Sequence, residues 1–257
     1  MEYILICLVA FIASVLTFFS GFGLGTILLP VFSIFFPIEM AIALTGVVHF
    51  FNNVYKLILV GRKADKSVLI RFGIPAVLAS FLGAYLLINI TNLPTIYSYY
   101  IGERLFTITP IKLIIAILLI TFAILEFLPY LKKQKIPSKY LPFGGFLSGF
   151  FGGLSGHQGA LRSAFLINSG LTKEMFIGTT VVISAFVDFT RLSVYASRIL
   201  NSGLLDNITI ILCATLSAIL GAYFGNRLLK KVTLVFIQKL VAILLIVISI
   251  ALGIGFI

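Results

Sequence analysis

Ten apolar runs fill nearly the whole chain, at about 3–18, 22–36, 39–60, 68–89, 111–130, 141–153, 157–169, 173–198, 207–229 and 234–256. Each is bounded by glycine, proline or charge, and most have the roughly 20 residues that a helix needs to cross the hydrocarbon core of a bilayer. Of the 257 residues, 60% are hydrophobic and only 11% charged, against about 25% charged in a soluble domain. A soluble surface cannot be covered with so little charge. Lipid offers no partner to an unpaired backbone group, so open strands are excluded within these runs and helices remain. Two pairs of short runs, 3–18 with 22–36 and 141–153 with 157–169, are each divided by a Gly-rich turn and read as hairpins of short or broken helices. The expectation is an all-α polytopic membrane protein with about eight full transmembrane helices plus the short hairpin helices. No room remains for a second, aqueous domain.

The chain carries 19 Lys+Arg against 8 Asp+Glu. Because the basic residues sit in short clusters between apolar runs, the excess reads as an orientation signal, not as a nucleic-acid surface. Arg62, Lys63, Lys66 and Arg71, then Lys132, Lys133, Lys135 and Lys139, then Lys173, Arg227, Lys230 and Lys231 fall on one side when ten crossings are counted; Arg104, Lys112 and Arg198 fall on the other. This places 61–71 and 131–140 in the cytoplasm and both termini outside, in a multi-pass protein of the cytoplasmic (inner) membrane. The N-terminal run lacks a basic leader and reads as a retained helix. Tyr97, Tyr99, Tyr100, Tyr130 and Tyr140 suit interfacial anchors. Cys7 and Cys213 read as small buried hydrophobes, and no cofactor or metal is expected.

An internal repeat runs through the chain. A shift of 135 residues pairs Ser20-Gly21 with Ser155-Gly156, Glu39-Met40 with Glu174-Met175, Thr45 with Thr180, Phe51 with Phe186, Asn53 with Asp188, Lys56 with Arg191 and Lys63 with Arg198. A shift of 138 pairs Gly83-Ala84-Tyr85 with Gly221-Ala222-Tyr223, and one of 127 pairs Lys112-Leu113 with Lys239-Leu240. The organisation is a first transmembrane repeat over 1–130, a basic cytoplasmic linker over 131–140 and a second repeat over 141–257. Five segments per half is an odd number, so if all cross, the halves are inverted, as in many secondary transporters.

In such folds an anion binds near the midplane, where broken helices direct their partly positive N-termini and free N–H groups at it. The two breaks supply Gly21, Gly23, Gly25 and Thr26 on one side, and Ser155, Gly156, His157, Gln158 and Gly159 on the other. Glycine admits a ligand close to the backbone, while the hydroxyls and Gln158 add donors. The same glycines also suit plain helix packing. Arg162 lies five residues after His157. Asp188 and Arg191, three apart, share a helix face and can pair. A charge inside the bilayer costs about 2.5–3.5 kcal/mol on insertion scales, which makes these residues notable. His157, inside its break, can add charge or relay a coupled proton; His49 reads as a satisfied interior residue. Glu39 and Glu174 suit helix starts. Gly21-x-Gly23-x-Gly25 follows no strand and is no nucleotide fingerprint. Ser155 lacks a downstream histidine base, which argues against a hydrolase.

The arrangement resembles the sulfite exporter TauE/SafE family of membrane transporters. The residues that carry it are SGFGLGTILLP, the long helix EMAIALTGVVHFFNNVYKLILVGR, the later GAY segment, and their repetition in SGHQGALRSAFLINSGLTKEMFIGTTVVISAFVDFTRLSVY. The first break, GFGLG, is less dense in glycine than in many relatives, and the second holds His157-Gln158. The resemblance implies movement of a small sulfur-containing anion, such as sulfite, thiosulfate or an organosulfonate, across the cytoplasmic membrane, coupled to a proton or other ion. Its partners are then the anion and the lipid bilayer, with no nucleic acid. A passive anion channel on the same scaffold and a non-transporting membrane assembly subunit are the alternatives.

Overall fold

The computed structural model describes residues 2–18, 23–127, 137–166, 169–201, 204–228 and 234–256. Among these, ten helices follow the apolar runs to within a few residues. They are α1 (Glu2–Thr17), α2 (Leu24–Phe35), α3 (Ile38–Val60), α4 (Lys66–Ile90), α5 (Pro110–Phe127), α6 (Leu141–Ser155), α7 (Gly159–Leu166), α8 (Lys173–Asn201), α9 (Ile208–Leu228) and α10 (Leu234–Gly253). Local chemistry sets the boundaries. Phe36 turns extended and Pro37 follows it, which stops α2, and Pro37 then caps α3. Asp65 caps α4 by accepting from the Val68 N–H at 2.8 Å. A π-turn over Leu69–Gly73 lies just before Pro75, whose missing N–H interrupts the regular ladder there.

Four described helical stretches are long and apolar enough to cross a bilayer: Ile38–Lys63, Lys66–Ile90, Lys173–Ala196 and Ile208–Arg227. Glu2–Thr17 and Leu24–Phe35 are shorter, as the hairpin reading expects. Large apolar side chains such as Ile58, Leu78, Leu216 and Val247 point outward, which is the arrangement a lipid solvent favours. The polar residues Asn52, Asp188 and Arg191 are buried inside instead.

Helix contacts come in matched sets. Helix α1 packs along α9, and α6 packs along α4; α3 meets α8, and α5 meets α10. Helices α1 with α2 and α6 with α7 form the two hairpins; α10 touches α2, and α5 touches α7. The α4–α6 seam is backbone against backbone. A Cβ at Gly145, Gly149 or Gly153 would stand 2.2, 1.9 and 2.0 Å from the carbonyl oxygens of Phe72, Ala76 and Ser80, and one at Gly83 would stand 2.0 Å from Phe150 O. On the other seam a Cβ at Gly221 would meet Phe11 O at 2.3 Å. Gly83 and Gly221, the matched glycines of the two GAY segments, thus both serve close helix packing.

The all-α expectation needs one correction. Between α4 and α5, β1 (Tyr97–Ile101) and β2 (Arg104–Ile108) form an antiparallel hairpin with Tyr99 opposite Phe106 and Gly102 at φ +61° in its turn. The exclusion of strands holds only inside lipid, and this aromatic, β-branched segment lies outside the apolar runs. The hairpin grips the end of α10: Tyr99 Oη donates to Ile254 O at 2.5 Å, and Phe106 stacks on Phe256 with centroids 5.4 Å apart. Arg104 covers both rings at 5.2 and 5.8 Å. Cys7 and Cys213 are also less isolated than their sequence neighbours suggest, because α1 and α9 bring the two half-buried thiols together beside Ser217.

Candidate functional site

Helices α3 and α8 cross the interior side by side and carry its most concentrated chemistry. Asp188 on α8 is fully buried, and both its oxygens are engaged. Arg191, one turn on, reaches Oδ1 through Nε at 3.0 Å and Nη2 at 2.9 Å. From α3, His49 Nδ1 stands 2.6 Å from Oδ2, and the Asn53 amide donates to the same oxygen at 3.0 Å. The carboxylate is therefore surrounded by donors, which is what a charge buried in an apolar interior requires. Asn53 and Asp188 stand 135 residues apart, the shift that relates the two halves, and they bond directly to one another.

The Gly-rich breaks converge on this cluster. Gly23, with φ 111°, leads into α2, whose first turn holds Gly25 and the half-buried Thr26. A Cβ on Gly25 would stand 3.6 Å from both His49 Cδ2 and Thr45 Cγ2, and 3.9 Å from Gly156 O. Gly156 ends α6 in the left-handed region, φ +81°, and a Cβ there would lie only 2.6 Å from Arg191 Nη1. Glycine is needed at this position both for the turn and for the guanidinium beside it. Gly21 lies outside the described residues.

Past Gly156 the second break is lined with polar side chains. Ser155 Oγ donates to Phe151 O at 3.1 Å and lies 3.2 Å from His157 Nδ1, while the His157 ring stacks on Phe122 of α5. Ser148 Oγ donates to Gln158 O at 3.0 Å, which holds the backbone just before Gly159 opens α7. Arg162 Nη1 donates to Gln158 Oε1 at 3.1 Å from a fully buried position. Gln158 Nε2, His157 Nε2 and Thr45 Oγ1 are buried without a hydrogen-bond partner, the usual mark of a place where a ligand or water belongs. Among the described residues the buried charges are Lys56, Arg162 and Arg191 against Asp188 alone. That imbalance favours an anion.

Of the residues singled out from the sequence, Gly25, Gly156, Asp188 and Arg191 come together at one place, with Ser155, His157, Gln158, Gly159 and Arg162 following along the second break. His49, read from the sequence as a satisfied interior residue, is a direct partner of Asp188. Tyr195 was also not anticipated: its hydroxyl donates to Gly153 O and ties α8 to α6. Lys56, the counterpart of Arg191, has a different environment. In the amide orientation that satisfies both its ends, Asn52 accepts from Lys56 Nζ at 3.2 Å and donates to Ser14 Oγ at 3.2 Å and Ala218 O at 3.1 Å. Lys56 also stands 5.5 Å over the Phe18 ring. The 135-residue shift aligns Asn53 with Asp188 and Lys56 with Arg191, but it carries no signal for the partners of His49, Tyr195 or Lys56.

A protein-family model described as Sulfite exporter TauE/SafE matches residues 6–252. No curated protein and no solved structure gives a significant match.

Proposed function

Since the chain belongs to the sulfite exporter TauE/SafE family over nearly its whole length, it is a multi-pass membrane transporter, and we propose that it carries a small sulfur-containing anion across the cytoplasmic membrane by alternating access. The observation that carries this reading is the meeting of the two Gly-rich breaks, Gly25 against Gly156, beside the Arg191 guanidinium. The anion sits between them. Backbone N–H groups at the starts of α2 and α7 hold it, together with the Gln158 amide and the Thr45 hydroxyl. Arg162 supplies the positive potential, and His157 adds its unpartnered Nε2 in the second break. A fixed set of donors replaces the hydration shell that an oxoanion gives up on entering an apolar interior.

Two inverted repeats, 1–130 and 141–257 joined by 131–140, account for the paired contacts: α1 on α9 matches α6 on α4, and α10 on α2 matches α5 on α7. Contacts α3–α8 and α5–α10 then lie on the pseudo-twofold axis, as does the Asn53–Asp188 bond. Lys56 and Arg191 fall on opposite sides of it. Such an interior has two equivalent arrangements, one open to each side, and rocking of one repeat against the other exchanges them. The basic segments 61–71 and 131–140 then face the cytoplasm and both termini face outward.

The test is uptake of labelled sulfite, thiosulfate, taurine and sulfoacetate by sealed proteoliposomes holding the purified protein, beside an Arg162→Gln variant. Saturable uptake of one of them, with trans-stimulation by the same anion and at least tenfold loss in the variant, is expected. Flux without saturation or trans-stimulation assigns a channel, and no flux of any anion overturns the reading.

A further inference from the structure

The His49 ring bridges the buried carboxylate and the first Gly-rich break. Its Nδ1 is 2.6 Å from Asp188 Oδ2, and its Cδ2, which is bonded to Nε2, lies 3.6 Å from where a Cβ on Gly25 would stand. A carboxylate oxygen can only accept, so at 2.6 Å Nδ1 donates to it and carries the hydrogen of the neutral ring, while the Asn53 amide, 3.1 Å from Nδ1, donates to the same oxygen. The neutral ring therefore presents a lone pair at Nε2. The protonated ring presents an N–H donor there.

Building on the anion-transport reading above, we propose that His49 is the proton-binding site that couples anion movement to a proton. A lone pair facing the first break repels an oxoanion; an N–H at the same atom holds it. Because Asp188 and Arg191 already neutralise one another, the added proton contributes an uncompensated positive charge beside the anion. Proton and anion then favour each other's binding by the same factor.

The surroundings leave His49 as the group placed for this. From α8 it faces Asp188, and Arg191 and Tyr195 stand one and two turns beyond the contact on that helix. The second break brings His157, and α7 brings Arg162. On α3 itself Lys56 lies two turns away, bonded to Asn52, and α9 reaches that amide through the Ala218 carbonyl. Helix α2 has no titratable side chain. His157 is the other histidine, but its Nδ1 faces the Ser155 hydroxyl instead of a carboxylate.

Isothermal titration of the detergent-purified protein, run in two buffers of different protonation enthalpy, counts protons taken up per anion. Thiosulfate and sulfoacetate are the probes because neither holds an exchangeable proton near neutral pH. The expected wild-type result is about one proton per anion, with affinity rising up to about tenfold per unit fall in pH. His49→Gln should remove the linkage, and His157→Gln should keep it. The chain has 2 histidines, so ring-13C NMR reads each directly, and anion addition should raise the titration midpoint of His49. This second measurement needs no active variant.

An unshifted His49 midpoint on anion binding, or binding without proton uptake, overturns the proposal and leaves the transport reading standing. A wild-type protein that binds neither these anions nor sulfite overturns both.

Discussion

The glycines of this chain serve two different purposes, and one pair of substitutions separates them. At Gly149 an added Cβ would stand 1.9 Å from Ala76 O and 2.5 Å from Ala76 Cα. Real Cβ atoms essentially never approach within 3.0 Å, so Gly149→Ala must push α4 and α6 apart by about an ångström. A radial gap of about 0.5–1 Å forfeits a quarter to a half of each dispersion contact. The loss falls on Gly145, Gly153 and Gly83 together, since all four share the seam. Overpacking costs typically about 1–3 kcal/mol, and a rigid backbone contact belongs at the upper end. For a chain of this size that is a Tm lower by about 6–12 °C in detergent. At Gly25 the same methyl group meets only ordinary contacts at 3.6–3.9 Å. Gly25→Ala should therefore melt at or slightly above the wild-type temperature, given alanine's better helix propensity of about 1 kcal/mol, yet raise the KM for anion uptake at least several-fold because it fills the space between the breaks. Thermal unfolding followed by circular dichroism, with uptake measured on the same preparations, checks both. Wild-type melting of Gly149→Ala would refute the packing argument, and wild-type uptake by Gly25→Ala would refute the placement of the anion.

Two further outcomes follow from the same geometry. Asp188→Asn removes the one buried carboxylate among the described residues and leaves the Arg191 charge uncompensated; a loss of about 3–5 kcal/mol is expected, read as a large fall in Tm that the double variant Asp188→Asn/Arg191→Leu partly reverses. Arg104→Ala removes the guanidinium from over Phe106 and Phe256; each cation–π contact at an exposed site is worth about 0.5–1 kcal/mol, so hydrogen exchange at the end of α10 should accelerate severalfold while anion uptake stays at the wild-type rate.

The amino-acid sequence by itself settles what is local. Apolar run length dictates helices in lipid, Pro37 marks the boundary between two runs, and the 188/191 spacing places Asp188 and Arg191 on one helix face. The breaks at Gly23 and Gly156 are likewise legible, since only glycine suits their backbone. Tertiary structure decides which faces meet. His49 and Asp188 are 139 residues apart, and no periodicity connects them. Gly149 and Gly25 look equivalent as letters, but one lies against a backbone and the other beside His49. The physical reason lies in the solvent: a helix between lipid and an apolar core is hydrophobic on both faces, so its pattern does not reveal which way it turns. Helix rotation and register alone bring Asn53 and His49 to the Asp188 carboxylate, and those are set by packing across the whole bundle.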